Sequence, residues 1–195
     1  MMTLKQKIKQ IKYIKNTPIL ETERMLLRPI TPEDAEAAFV WLSDERVNRF
    51  MPYNLYKNID EVLHWINVIL PEDENYHWGF VLKENNLLIG SGSIGPHKGN
   101  PDEWGFGYNI RSDYWNKGLT TEATKRMIDY AYKEHGIKDF VSDHAVDNPA
   151  SGRVMQKCGL KFEGVIRREL LAKEKPRDLA HYSVLKNEYY SQKCN

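Results

Sequence analysis

Residues 114–127 read Tyr-Trp-Asn-Lys-Gly-Leu-Thr-Thr-Glu-Ala-Thr-Lys-Arg-Met, and the chemistry they offer is anion binding. Met127, Ile128 and Ala131 fall at helical spacing, so an amphipathic helix follows Gly118. Its first turn carries unpaired N–H donors and about half a positive charge. Gly118 permits positive φ and close approach of a ligand, Lys117 adds a cation, and Thr120 and Thr121 carry hydroxyls. That combination suits a diphosphate. It equally suits an ordinary capped helix with Glu122 favouring the dipole, and local chemistry alone leaves both readings open. Two commoner phosphate motifs are excluded. A P-loop needs Gly-Lys-Ser/Thr, and here the order is Lys117-Gly118. Gly105 and Gly107 begin a dinucleotide-like spacing, but Ile110 stands at the third glycine position.

The elements that must position this stretch can be read along the chain. Arg24–Ile30 is a short strand, and Thr31-Pro32-Glu33-Asp34 is a helix start with Thr at the cap and Pro in the first turn. Residues 44–58 form an irregular, aromatic-rich connection; Asn58 then caps a second helix that ends near Pro71. Two apolar runs flank Glu84-Asn85-Asn86 as a hairpin, and Glu103–Ile110 follows as a strand. The Gly118 helix stops at Gly136. A strand around Phe140–Val146, a short helix closed by Gly159, and strands over Leu160–Leu170 and Ala180–Lys186 complete the order β-α-α-β-β-β-α-β-α-β-β. The strand–helix–strand crossover in the second half predicts a parallel pair.

Composition narrows the classes further. The 195 residues, 41% hydrophobic and 28% charged, suit one domain with a real core. A net charge of +1 gives no global case for nucleic acid. No apolar run approaches the roughly 20 residues that cross a bilayer, and no secretory signal core is visible, so a cytoplasmic protein without membrane contact is expected. Cys158 and Cys194 lack metal-ligand spacing, and no metal is expected. One asymmetry remains: residues 1–16 hold Lys5, Lys7, Lys9, Lys12 and Lys15 and no acid, with Leu4, Ile8 and Ile11 on one helical face. Residues 1–19 therefore read as a basic extension, either frayed or packed down or offering an RNA, ribosomal or anionic-surface contact, ahead of a domain over 20–190.

The ordered motifs Tyr108, then Trp115-x-x-Gly118-x-Thr120-Thr121-Glu122-Ala123, Asn148-x-x-Ser151 and Lys157-x-Gly159 resemble those of the GCN5-related N-acetyltransferases. The ribosomal-protein alanine and serine N-acetyltransferases look most alike. The resemblance implies an α/β acyltransferase fold, a mixed central sheet with splayed parallel strands flanked by helices. It also implies acetyl-CoA as donor and a primary amine as acceptor, a protein N-terminus or a small amine such as a polyamine, aminoglycoside or amino-acid-like metabolite. The molecule would be a monomer or homodimer. A non-catalytic acyl-CoA-binding module is the rival from another class. The cofactor set so implied is Tyr108, Asn109 and Ile110 beside the pantetheine arm, Trp115, Asn116, Lys117, Gly118, Leu119, Thr120 and Thr121 around the diphosphate, and Asn148 with Ser151.

Departures from the family pattern matter for catalysis. Thr120 stands where the family favours Gly or Ala and crowds the cradle slightly. Gly105 stands where many members carry a basic-function acid on the fourth strand, and Met155 where many carry a tyrosine acid. The expected catalytic set is therefore Ser151 as proton donor to the thiolate, with Glu103 or Glu169 as base. His144 reads as a packed or solvent-facing histidine before a relay. The aromatic connection, with Trp65 and Trp78, is a candidate lining for an acceptor pocket or ordinary packing.

Overall fold

The computed structural model describes residues 17–98, 100–173 and 175–192. The basic segment 1–16, and with it the RNA reading, lies outside the described residues, as does Cys194. Two short strands, β1 (Leu20–Glu21) and β2 (Met25–Arg28), open the fold. Helices α1 (Ala35–Leu42), α2 (Glu45–Asn48) and α3 (Ile59–His64) follow. Then come β3 (Tyr76–Leu82), β4 (Leu88–His97) and β5 (Asn100–Ile110). The second half runs α4 (Leu119–Glu134), β6 (Asp139–Ala145), α5 (Pro149–Lys157), β7 (Lys161–Ala172), β8 (Lys175–Leu185) and α6 (Lys186–Ser191). Two short helices went unread in the sequence: α2, inside the connection taken as irregular, and α6, after the last strand.

The eight strands form one sheet in the order β1-β2-β3-β4-β5-β6-β8-β7. Neighbours are antiparallel except β5 and β6, which pair in parallel over Glu103–Gly105 and Asp139–Val141. Beyond that length the two strands part, although β5 continues to Ile110 and β6 to Ala145. Each keeps its other edge: β5 stays paired with β4 through Ile110↔Gly90, and β6 with β8 through Ala145↔Leu179. The first level beyond the parallel ladder is bridged by a side chain, the Ser142 hydroxyl donating to the Phe106 carbonyl at 3.2 Å.

Apolar alternation places a core on each face. On one, α4 buries Leu119, Ala123, Met127, Ile128, Ala131 and Tyr132 against Phe80, Trp78 and Phe140. This is the stripe expected of an amphipathic helix on a sheet. On the other, Trp41, Leu42, Val62 and Ile66 pack over Val81 and Leu88. The start of α1 is held by Asp34, whose carboxylate accepts from both terminal nitrogens of Arg28 at 2.7 Å and from the Thr31 N–H at 2.8 Å. Burial raises the Asp34 pKa, but the Arg28 and Thr31 bonds outweigh it and hold the carboxyl below its ordinary 3.8.

Asp34→Asn should cost about 1.5–3 kcal/mol, the range for hydrogen bonds to a charged group. A carboxyl lowered on folding contributes stability in full above its unfolded pKa and loses it as pH falls through the folded value. Urea denaturation should therefore show the full deficit at pH 7 and a shrinking one below pH 3.8.

Candidate active site

The turn before α4 is built for exposed amides. Asn116 and Gly118 both take left-handed backbone, φ 59° and 77°, and no side chain caps the helix at Gly118. A Cβ on Gly118 would meet only the Arg24 guanidinium, at 3.6 Å, so the glycine answers a backbone requirement rather than crowding. Arg24 braces the turn from β2's approach. Its Nη1 donates to the Lys117 carbonyl at 2.9 Å, its Nε to Glu122 Oε2 at 2.7 Å, and its own N–H to Glu122 Oε1 at 2.9 Å. The Lys117 ammonium lies 4.6 Å from the centre of the Tyr114 ring.

This turn forms one end of a groove of about 520 Å³. Its walls include Tyr108, Asn109 and Ile110 of β5, Trp115, Asn116, Gly118, Leu119, Thr120 and Thr121, and Asn148 and Ser151 of the α5 start. Of the cofactor-binding residues expected from sequence, Lys117 alone is missing from the wall. The groove also gathers Arg46, Arg49, Phe50 and Met51 from α2 and the loop after it, and Arg153 and Lys157 from α5. These cations went unread because they sit in separate elements that only the fold brings together. The far hairpin secures the α2 wall: Lys173 Nζ donates to the Asn48 carbonyl at 2.5 Å, and Arg177 to that of Arg49 at 3.2 Å.

Strand parity sets which amides face the gap. The Arg111 N–H donates to Ile89 of β4, whereas the Phe106 carbonyl accepts from Ser142 of β6. Main-chain groups alternate sides along a strand, so Phe106, Tyr108 and Ile110 present theirs to the gap. The Ile110 carbonyl is taken by the Trp115 indole at 3.1 Å. The Tyr108 phenol donates to the Ser151 carbonyl at 3.3 Å, and burial pushes its pKa up, keeping it neutral. Asn148 Nδ2 donates to Ser151 Oγ at 3.0 Å, which leaves the serine hydroxyl proton free to be donated elsewhere.

A second cavity, about 250 Å³, continues along the same gap on the α1 face. Gly105, Phe106 and Gly107 of β5, Val141 and Asp143 of β6, Ser93, His97 and Lys98 line it. Glu169 comes close to this cavity through His181, whose Nε2 donates to it, and Lys98 lies 3.7 Å from the same carboxylate. Glu103 does not. It pairs with Asp139 inside the parallel ladder, lines neither cavity, and stands five residues, about 16 Å along the strand, before Tyr108. Its parity matches Gly105, but its level on the strand does not. Trp78 is core, and Trp65 packs with the α1 cluster; neither lines these two cavities, whereas Phe50 and Met51 line the first. His144 is buried against Tyr182, its Nδ1 donating to the Ala145 carbonyl at 2.8 Å.

The groove thus joins the splayed parallel pair to the N-terminal turn of α4, the arrangement that the acetyltransferase resemblance led one to expect. The acetyltransferase (GNAT) domain model matches residues 24–161. Uncharacterized N-acetyltransferase YoaA of Bacillus subtilis is 31% identical over 87% of this chain and 97% of its own. The crystal structure of a GNAT-family acetyltransferase from Bacillus anthracis superposes with a TM-score of 0.80 at 23% identity, covering 87% of this chain and 99% of that one. That of the microcin C7 self-immunity acetyltransferase MccE, in complex with acetyl-CoA and AMP, gives 0.71 at 21%, covering 84% and 93%. The chain belongs to the GNAT family of acetyltransferases and is an N-acetyltransferase.

The α5 start offers a packing test. A Cβ on Gly152 would meet His144 Nε2 at 2.6 Å and the Tyr182 hydroxyl at 3.1 Å. Gly152→Ala should therefore cost about 1–3 kcal/mol, the usual range for overpacking, and lower the thermal midpoint. An unchanged melting curve would show that α5 shifts freely against β6.

Proposed function

We propose that the groove takes acetyl-CoA and that the acetyl group passes by direct attack of a primary amine, the α-amine of a protein N-terminus first among acceptors. The observation that carries this reading is the uncapped, left-handed turn at Asn116–Gly118, opening on a groove whose walls include the gap-facing Tyr108. The acetyl-CoA bound by MccE, a protein of the same fold, supports the donor. The N–H groups of Asn116 to Thr121 would hold the diphosphate, with Arg46, Arg49, Arg153 and Lys157 adding positive charge. Tyr108–Ile110 and Asn148 would take the pantetheine arm. When bound, acetyl-CoA supplies an activated thioester. The Tyr108 N–H faces the gap where charge would develop on the carbonyl oxygen, and Ser151 has a free proton to offer the leaving sulfur.

Direct attack fits the only described thiol. Cys158 is buried, and burial pushes its pKa up to about 12, so it does not serve as an acyl-accepting nucleophile. The α-amine reading rests on cost. An amine of pKa near 7.8 needs only about 1 kcal/mol to be neutral at pH 7, and one near 10.4 needs about 4.6 kcal/mol. Gly105 supplies no acid from β5, and the cheaper acceptor makes the smaller demand on whatever base the site draws from elsewhere.

Calorimetric titration with acetyl-CoA should give micromolar binding that Gly118→Glu abolishes. Gly118→Asn should retain it within a few-fold, because Asn tolerates the left-handed backbone and adds no charge. No binding by the folded native protein would overturn the donor assignment. In an amine panel, peptides with free N-termini should outpace Nα-blocked lysine peptides and spermidine; the reverse order would overturn the acceptor.

A further inference from the structure

We infer that Asp143, backed by His181 and Glu169, is the group that takes the proton from the acceptor amine; this rests on the acetyl-CoA reading above. The parallel register fixes its level. Gly105 pairs with Val141, so two residues on, Asp143 stands opposite Gly107 across the open gap. That is one residue, about 3.3 Å along the strand, from the Tyr108 N–H. Gly107 contributes no side chain there, which leaves the space between Asp143 and β5 to a ligand.

Behind Asp143 the sheet supplies a path for the proton. His181 is its cross-strand partner on β8. The His181 Nε2–H donates to Glu169, since a carboxylate only accepts, so in the neutral ring Nδ1 carries the free lone pair. Glu169 then stabilises the imidazolium that forms when Nδ1 is protonated. The charged and titratable groups around Asp143 are His181 from β8, Glu169 from β7, and His97 and Lys98 from the end of β4 and the turn after it. Burial raises the Asp143 pKa, Glu169 adds to this, and His181, His97 and Lys98 oppose it; the net direction is upward, toward the range useful to a base.

The step balances as follows. The Asp143 carboxylate removes one proton from the ammonium, freeing the nitrogen lone pair. Nitrogen bonds to the thioester carbon, and the carbonyl pair moves to oxygen beside the Tyr108 N–H. That pair returns, the C–S bond breaks, and sulfur leaves with its electrons. Sulfur takes the Ser151 proton, which is replaced by the second proton of the nitrogen. The proton on Asp143 leaves through His181 to solvent, so each turnover yields amide, free thiol and one proton.

Asp143→Asn is the test, read three ways. Acetyl-CoA affinity by calorimetry should be unchanged. In the unliganded protein, infrared difference titration should find a carboxyl ionising above the ordinary aspartate range that the variant lacks. Amine transfer to an α-amine should fall about 7-fold at pH 7, the factor set by the neutral fraction of an amine of pKa near 7.8. The deficit should shrink as pH rises, because the variant acetylates only amine that is already neutral. His181→Gln should give a smaller loss with the same pH trend. Activity within three-fold of wild type, a deficit constant with pH, or a loss produced by Glu103→Gln in place of Asp143→Asn would each overturn the assignment. Failure of the wild-type protein to bind acetyl-CoA would overturn the donor reading instead, and this one with it.

Discussion

Everything in this molecule that bears on chemistry follows from one broken ladder. β5 and β6 pair for three residues and then let go, yet neither strand is loosened, because each remains bonded along its other edge. A sheet interior normally leaves no main-chain group unpaired. Here the parting exposes N–H and C=O groups of Tyr108 inside a wall that β4 and β8 hold fixed. Preorganised donors of this kind need no rearrangement when charge appears beside them. The Ser142 hydroxyl bridging to Phe106 marks where the gap begins and keeps the first freed carbonyl satisfied.

The second requirement is that a helix point its N-terminus at the same gap, and it is met by fixing the turn rather than by charge alone. Arg24 clamps the Lys117 carbonyl and Glu122 together, so the bend leading into β2 holds the start of α4. Glu122 is thereby engaged by Arg24 and does not compete for the amides at the turn. Burial raises its pKa, but bonds from Thr22 and Arg24 outweigh that and keep it ionised. Lys117 stacks on Tyr114, and the cations lining the groove come from α2, the residue after it and α5.

What the sequence made legible was local. The α4 start, the caps, the hairpin at Glu84-Asn85-Asn86 and the order of strands are written in neighbouring residues, and the family resemblance rests on such short motifs. What it hid depends on register. Asp143 is one polar residue in an alternating strand, indistinguishable from a solvated position until β6 is aligned with β5 and β8. Glu103 shows the converse: parity along β5 gave it the right face, and only the pairing shows it lies too far back. The helix α2 was missed because four residues leave no periodicity to read, although Asp44 caps it through the Arg46 N–H at 2.9 Å.

The same alternation explains why the gap opens on both faces of the sheet. Along Gly105–Ile110, odd residues turn their side-chain positions to the α1 face and even residues to the α4 face, while the even residues turn their amides into the gap. Two odd positions are glycine, which keeps the α1 face open opposite Asp143; two even positions are Phe106 and Tyr108, which form a wall stacked at 6.2 Å on the α4 face. A shift of one residue in the β4–β5 register would put aromatic rings in the second cavity and turn the Tyr108 amide back into the ladder. The residue taken from the family pattern as a lost acid, Gly105, is thus better understood as part of an open path, with the carboxylate supplied from the opposite strand.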